Sequence, residues 1–204
     1  TEDDWKKTYS EQSQKFLQIN SIKIDNPYPE IKIDTSKFEK NNQDLLFKGK
    51  KIAFGIDSFE DYKMWYEEDF IELANLFKKE ALFDYIYLIC GPEKSYIANK
   101  IIHSSKKNYF IDCSQKDLQG IILAIKCSDF YVGNNSGPLN LAAALGTQAF
   151  GLISNDPISE LKYSRIKPIT PKNYKDNTWN RDRNGIKDLT PNDVFKSVMK
   201  DIIK

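Results

Sequence analysis

Tyr131-Val132-Gly133-Asn134-Asn135-Ser136-Gly137-Pro138-Leu139-Asn140-Leu141-Ala142-Ala143-Ala144-Leu145-Gly146 is the stretch whose reading decides the fold. It reads as the end of a buried strand, a tight polar turn and a short apolar helix closed by Gly146. Gly137 lets a ligand come close to the backbone, and Pro138 suits the first helical position, where no N–H is needed. Asn135, Ser136 and the free N–H groups of the first turn then face whatever sits above the strand ends. Such a helix N-terminus suits a phosphate or diphosphate. An ordinary strand-to-helix connection with good capping residues would read the same way, so the neighbouring segments have to decide.

Those segments alternate regularly. From Lys50 onward, 52–56 reads as a strand, 67–79 as a helix turning Phe70, Leu73, Leu76 and Phe77 inward, and 85–90 as a second strand. A helix over 95–103 carries Ile97, Ile101 and Ile102, and 109–113 is the next strand. Ser114 is the expected N-cap of a helix whose buried stripe is Leu118, Ile121, Ile122 and Ile125. After 130–133 and the bend, 148–153 is a fifth strand and 166–169 a short sixth. Thr190-Pro191-Asn192-Asp193 opens the last helix, with Val194, Phe195, Val198 and Ile202 inward. Near-continuous apolar strands separated by helices predict an α/β fold. The sheet should be parallel and Rossmann-like, with helices on both faces.

The first 49 residues differ. Residues 4–19 read as a helix with Trp5, Tyr9, Phe16 and Leu17 on one side. Ile22/Ile24 and Ile31/Ile33 alternate around Asn26-Pro27-Tyr28-Pro29, as short extended pieces lying on a larger body would. Residues 35–49 read as a polar loop or linker. The expected division is therefore a helix with a linker-like segment over 1–49 and a Rossmann-like domain over 50–204, which the resemblance described below makes an interdomain segment and a nucleotide-sugar-binding domain. The stretch 171–188, with Trp179, Arg181 and Arg183, reads as a long loop.

Composition narrows the function classes. With 30 basic and 29 acidic residues the chain carries no nucleic-acid footprint. Lysine clusters at 48/50/51 and 106/107 read as solvated surface, able at most to touch an anionic lipid face. Cys90, Cys113 and Cys127 lack metal-ligand spacing and fall in or beside apolar runs, as buried thiols of a reducing compartment do. No signal peptide or membrane-spanning run is visible. A chain starting at Thr1 without methionine reads as a piece of something longer. His103 is solitary and flanked by serines, far from any nucleophile pattern. No G-x-G-x-x-G or Walker lysine loop is present, which argues against dinucleotide enzymes and P-loop kinases. No metal and no cofactor is expected.

Lys63-Met64-Trp65 follows a strand and opens a helix, Gly91-Pro92-Glu93 follows the second strand, and the 135–140 turn follows a later one. In order and spacing these resemble the donor-binding half of glycosyltransferase family 9, the bacterial ADP-heptose:lipopolysaccharide heptosyltransferase family. That family shows a K-x-W element, a G-G/P-x-E-like element and D-[ST]-G-P-x-H-L-A-x-A-L-G. The resemblance implies the C-terminal half of a two-domain GT-B glycosyltransferase that is inverting, metal-independent and cytoplasmic, with at most peripheral contact with the inner membrane. The donor would be a nucleotide-diphosphate sugar of the ADP-heptose kind, and the acceptor lipopolysaccharide or a related glycolipid or glycan. An N-terminal acceptor-binding domain would supply the catalytic base, so no catalytic residue is assigned within this chain.

Ligands of an open parallel sheet bind beyond the carboxyl ends of its strands. A nucleoside diphosphate leaving group gathers negative charge there, which a lysine and backbone N–H groups stabilise without a metal. Lys63 is the candidate diphosphate cation, with Ser58 as a hydrogen-bonding neighbour and Trp65 as a packing anchor. Ser136 and Gly137 offer hydroxyl and backbone donors, and the resemblance implies that Glu93 accepts from a ribose hydroxyl. The family's aspartate falls on Asn135 and its histidine on Asn140. Both amides keep hydrogen-bonding capacity but lose a charge and a titratable ring, respectively. Two further readings stay open: a catalytically degenerate sugar-nucleotide-binding or scaffold module, and a GT-B-like sugar-nucleotide epimerase.

Overall fold

Strand-forming apolar runs alternate with amphipathic helices along most of the chain, and the elements follow that pattern. The computed structural model describes residues 9–26, 28, 30–154, 156–158, 161, 165–175 and 184–202. Their order is α1 (Tyr9–Ile19), α2 (Ser36–Glu39), β1 (Lys51–Gly55), α3 (Glu67–Lys79), β2 (Tyr85–Ile89), α4 (Ser95–Ser105) and β3 (Phe110–Asp112). Then come α5 (Leu118–Lys126), β4 (Phe130–Asn134), α6 (Gly137–Ala144), β5 (Gln148–Leu152), β6 (Ile166–Ile169), α7 (Asn184–Lys187) and α8 (Pro191–Ile202). The strands form one sheet in the order β3-β2-β1-β4-β5-β6, and every pair is parallel. This is the expected Rossmann-like α/β architecture.

Strand side chains alternate between two packed layers. Ile52, Phe54, Phe130, Val132, Phe150 and Leu152 face α3, α4 and α8 in an aromatic-rich core. There Phe54 lies 5.5 Å from Phe70, and Phe77 meets Phe130 edge-on at 5.6 Å. Each such buried ring contributes roughly 2 kcal/mol. The opposite layer is smaller in side-chain size: Ala53, Ala149, Tyr87 and Tyr131 pack under α5 and α6, which add Ala142 and Ala143. The last helix starts as its sequence predicts, with Thr190 Oγ1 accepting from the Asp193 N–H at 3.2 Å.

Three local expectations are corrected. The cap of α5 is Asp117, which accepts from the Gly120 N–H at 2.8 Å, and Ser114 lies before the helix with its hydroxyl unpaired. The later start turns Leu118 outward, 67% exposed, while Leu123 joins the buried stripe. Residues 35–49 are not a loose linker. A turn at Gln43–Leu45 buries Leu45 completely, Phe38 and Phe47 pack on the same layer, and the Tyr87 hydroxyl donates to Leu45 O. The isoleucine alternation produces no strand over residues 22–26 or 30–33: Ile22, Ile31 and Ile33 are exposed, although the Ile31 N–H reaches Ala144 O at 2.9 Å.

In α1, Phe16 is exposed and Leu17 half-buried, so these two members of the expected stripe do not sink into this body. Trp5, Trp179, Arg181 and Arg183 lie outside the described residues. Within 171–188 the structure adds α7, whose Ile186 is fully buried. Cys90 and Cys113 are buried, Cys127 is half-buried, and none of the three is bonded to another. Burial pushes the Cys90 thiol up to about 12. Among the described residues no helix is long and apolar enough to cross a membrane.

Candidate functional site

The strand order turns around between β1 and β4, the place where an open parallel sheet offers its ligand site beyond the carboxyl ends of the strands. Gly55 and Gly133 are register partners there. A Cβ on Gly133 would sit 2.7 Å from Gly55 Cα, and one on Gly55 would sit 1.6 Å from the Tyr131 hydroxyl oxygen. Glycine at both places therefore lets the strands close and lets Tyr131 lay its hydroxyl across the end of β1. Burial raises the Tyr131 hydroxyl well above its usual range, and the charge of Asp57 adds to that.

Beyond β4 the chain bends as its sequence predicts. Asn134 is fully buried and its Oδ1 accepts the Trp65 N–H at 3.0 Å, which ties the segment carrying Lys63 to the end of β4. Trp65 is a packing anchor: its Nε1 donates to Leu189 O at 2.8 Å and its ring meets Phe70 edge-on. Ser136 occupies the N-cap position of α6 in extended conformation, but its side chain makes no capping bond and its Oγ is buried without a partner. The opening N–H groups of α6 thus lack a side-chain cap. Gly137 is exposed, and a Cβ there would meet nothing within 4 Å. Asn140 Nδ2 donates to Ser136 O at 3.1 Å while its buried Oδ1 has no partner.

Lys63 lies in a turn at Asp61–Lys63 and not at a helix start; α3 begins four residues later, capped at Tyr66. Its ammonium is 2.5 Å from Glu60 Oε2 and 3.2 Å from Asp156 Oδ1. Partial burial favours the neutral amine, but the two carboxylates outweigh it and hold the group above its ordinary value. Asp156 is 2% exposed, and its Oδ2 accepts from Asn135 Nδ2 at 2.9 Å. Ser58 is buried; its hydroxyl donates to Asn135 O at 3.4 Å and accepts from the Glu60 N–H at the same distance. It neighbours the bend and does not bond Lys63 directly.

Ser58, Lys63, Asn135, Ser136 and Asn140 therefore form one connected group. Glu93 is not bonded to that group: it is exposed in the turn that follows β2, with its carboxylate folded back over Gly91. Asp57 joins that turn to β1 by accepting the Gly91 N–H at 2.7 Å. Its carboxyl is raised by burial and by the nearby Glu93 charge, against the opposing pull of that N–H. A hollow of about 140 Å³ lined by Asp61, Met64, Trp65, Glu67 and Tyr96 opens beside the Lys63 turn. Among the described residues no set of three His, Cys, Asp or Glu side chains is arranged to hold a metal ion.

Sequence reasoning missed Asp57, Glu60, Tyr131, Asn134 and Asp156. Asp57 and Asp156 had a usable signal, since each sits in a polar run just after a strand, where a parallel sheet gathers its site. Glu60 and the Tyr131 hydroxyl had none: their roles depend on contacts fixed only by the fold.

A family model for glycosyltransferase family 9 (heptosyltransferase) matches residues 6–189. The chain belongs to that family. It carries the family's glycosyltransferase fold. E. coli ADP-heptose LPS heptosyltransferase II is 17% identical with a TM-score of 0.69, over 85% of this chain and 53% of that one. A family 9 glycosyl transferase from Veillonella parvula is 17% identical, TM-score 0.66, over 84% and 52%. E. coli heptosyltransferase WaaC with ADP-2-deoxy-2-fluoro heptose is 19% identical, TM-score 0.60, over 78% and 47%. This chain therefore spans about half the length of these structures. No curated protein matches it.

Proposed function

We propose that this chain is the donor-binding half of a glycosyltransferase and takes a nucleotide-diphosphate sugar at the carboxyl rim between β1 and β4. One observation carries this reading. At the uncapped start of α6 buried polar atoms are short of partners: Asn134 Nδ2 has none, and Ser136 Oγ and the Tyr131 hydroxyl have at most each other, with Lys63 tied to the same bend. Buried polar groups are nearly always paired, so a cluster of under-paired groups at a helix N-terminus is what an anionic ligand completes. Open space over Gly137 gives that ligand access to the first-turn N–H groups.

The rest of the reading follows from charge. As the glycosidic bond breaks, negative charge develops on the departing diphosphate, and helix N–H groups with the Lys63 ammonium stabilise it. Ser58, Asn135 and Asn140 hold the bend, and Glu93 accepts from a ribose hydroxyl at the neighbouring strand end. Two structures of WaaC, one with ADP and one with an ADP-linked fluoro-heptose, support an ADP-linked heptose as the donor class. The likeness to an ADP-heptose LPS heptosyltransferase supports lipopolysaccharide or a similar glycan as the acceptor. We read the reaction as inverting and metal-independent, carried out on the cytoplasmic side with at most peripheral membrane contact. An N-terminal acceptor-binding domain would provide the catalytic base, with the helical segment at the start of this chain running between the two domains.

A thermal-shift panel of ADP-, GDP- and UDP-linked sugars tests the reading. One nucleotide class should stabilise the chain, by about 2.7 kcal/mol at 100 times its dissociation constant. Absence of any response across the panel would refute donor binding.

A further inference from the structure

The Asp156 carboxylate joins two residues of the bend. Its Oδ1 lies 3.2 Å from the Lys63 ammonium, and its Oδ2 accepts from Asn135 Nδ2 at 2.9 Å. A side chain can orient two partners only if its own backbone is fixed. Asp156 sits beyond the end of β5 at Leu152, and the residue after it is Pro157, which has no N–H with which to close a turn. Tyr174 supplies what this turn lacks. Its hydroxyl donates to Asp156 O at 2.8 Å and accepts the Ile158 N–H at 3.0 Å, so one phenol oxygen spans Pro157 and ties both sides of it together. Tyr174 is itself held: its ring packs on the layer under α5 and α6, and its N–H donates to Pro171 O at 3.0 Å. The neighbouring Asn173 donates to Asp188 Oδ2 at 2.6 Å, just past α7.

Contiguous contacts therefore run from the loop after β6 to the turn after β1. They pass from the Tyr174 hydroxyl to the Asp156 backbone, and from the Asp156 carboxylate to Lys63 and Asn135. Placement counts heavily where charge develops, since a shift of roughly 1 Å in a positioning contact can cost about 100-fold in rate. We propose that Tyr174 is a positioning residue for the donor's diphosphate. It clasps the Asp156 turn, so that the carboxylate holds Lys63 and Asn135 in place beside the start of α6. This rests on the donor-site reading above and adds to it a residue from a loop that does not follow β1 or β4.

The test joins a double-mutant cycle to NMR. Wild type, Tyr174→Phe, Asp156→Asn and the double variant of the full chain are titrated calorimetrically with ADP and with uncharged adenosine, below the melting temperature of all four. Tyr174→Phe keeps the ring and removes the clasp, so it should weaken ADP about fivefold while sparing adenosine. The side-chain amide signals of Asn135 should shift in the same variant without ligand. Added to Asp156→Asn, the substitution should weaken ADP no further, because the carboxylate it acts through is already gone. Unchanged ADP affinity in Tyr174→Phe, or losses that add in the double variant, overturns the inference while leaving the donor site standing. ADP and adenosine affinities that fall together, with the Asn135 signals unmoved, would make Tyr174 a packing residue alone and overturn it too. Should Asp156→Asn fail to fold, the ADP-against-adenosine split and the Asn135 signals of Tyr174→Phe decide the matter. If the wild type does not bind ADP, the inference and the donor reading fall together.

Discussion

At the amino ends of the strands no buried side-chain polar atom lacks a partner among the described residues. The Lys50 N–H donates to Asp84 at 2.8 Å, the Lys51 N–H to Asp129 at 3.3 Å, and the Lys51 ammonium to Phe47 O and Gly49 O, both at 2.7 Å. At the carboxyl side of the same sheet lie the buried polar side-chain atoms without hydrogen-bond partners among the described residues. They are Ser114 Oγ, the Tyr131 hydroxyl, Asn134 Nδ2, Ser136 Oγ, Asn140 Oδ1 and Asp156 Oδ1, the last held only by charge to Lys63. One rim is finished as a structure. The other leaves these groups open, as the proposed donor site requires. Natural sequences tolerate such incompleteness where function requires it.

Substitutions can sharpen that contrast. The largest effect should come from Gly55→Ala, whose Cβ would collide with the Tyr131 hydroxyl at 1.6 Å. We expect a loss of about 3 kcal/mol, read as a fall of roughly 10 °C in melting temperature. Lys63→Met should weaken ADP by about tenfold or more and also lower the melting temperature, since it removes the cation at the rim and leaves the buried Asp156 carboxylate without its ion-pair partner. Gly137→Ala separates the two rims differently. The methyl meets no protein atom, so stability should hold or rise, while ADP affinity falls because the group fills the ligand's approach.

Tyr131→Phe deletes a fully buried hydroxyl whose one partner within reach is Ser136 Oγ, and should leave stability in urea unfolding within about 1 kcal/mol while reducing donor affinity. A larger loss would mean that the hydroxyl is already satisfied. The smallest effect concerns Asp69 in the first turn of α3. Burial, together with Glu72 and Glu68, pushes its carboxyl from the usual 3.8 to about 6. The folded chain therefore keeps a proton that the unfolded chain releases, and this carboxyl subtracts stability as pH rises from about 4 through 6. Asp69→Asn should raise the melting temperature by about 2 °C above pH 6 and leave it unchanged below pH 4.

Much of this was legible in the residues. The near-continuous apolar runs at the strands and the Thr190-Pro191 start of α8 carry their own physical cause, and the structure keeps them. The bend at 135–140 was legible because glycine and proline at fixed offsets leave few alternatives. What failed was boundary chemistry and long-range pairing. Ser114 and Asp117 are both good caps three residues apart, and only the register of the buried stripe against the sheet chooses Asp117. Leu45 looked like part of a polar linker because one buried leucine among lysines and asparagines has no period to announce it. At the site, position after a strand predicted which residues gather at the rim. Which carboxylates would hold Lys63 depended on how β1 and β5 sit in the sheet, which the linear sequence does not display.

The central claim is that a nucleoside diphosphate binds at the carboxyl rim of this sheet. Titrating the isotopically labelled chain with ADP, and following backbone amide signals by NMR, tests it most directly. The account predicts saturable shifts at Ser136, Gly137, Leu139 and Lys63, with Lys50 and Lys51 at the opposite rim unmoved. Shifts confined to the amino rim, or none at saturating ADP, would contradict it.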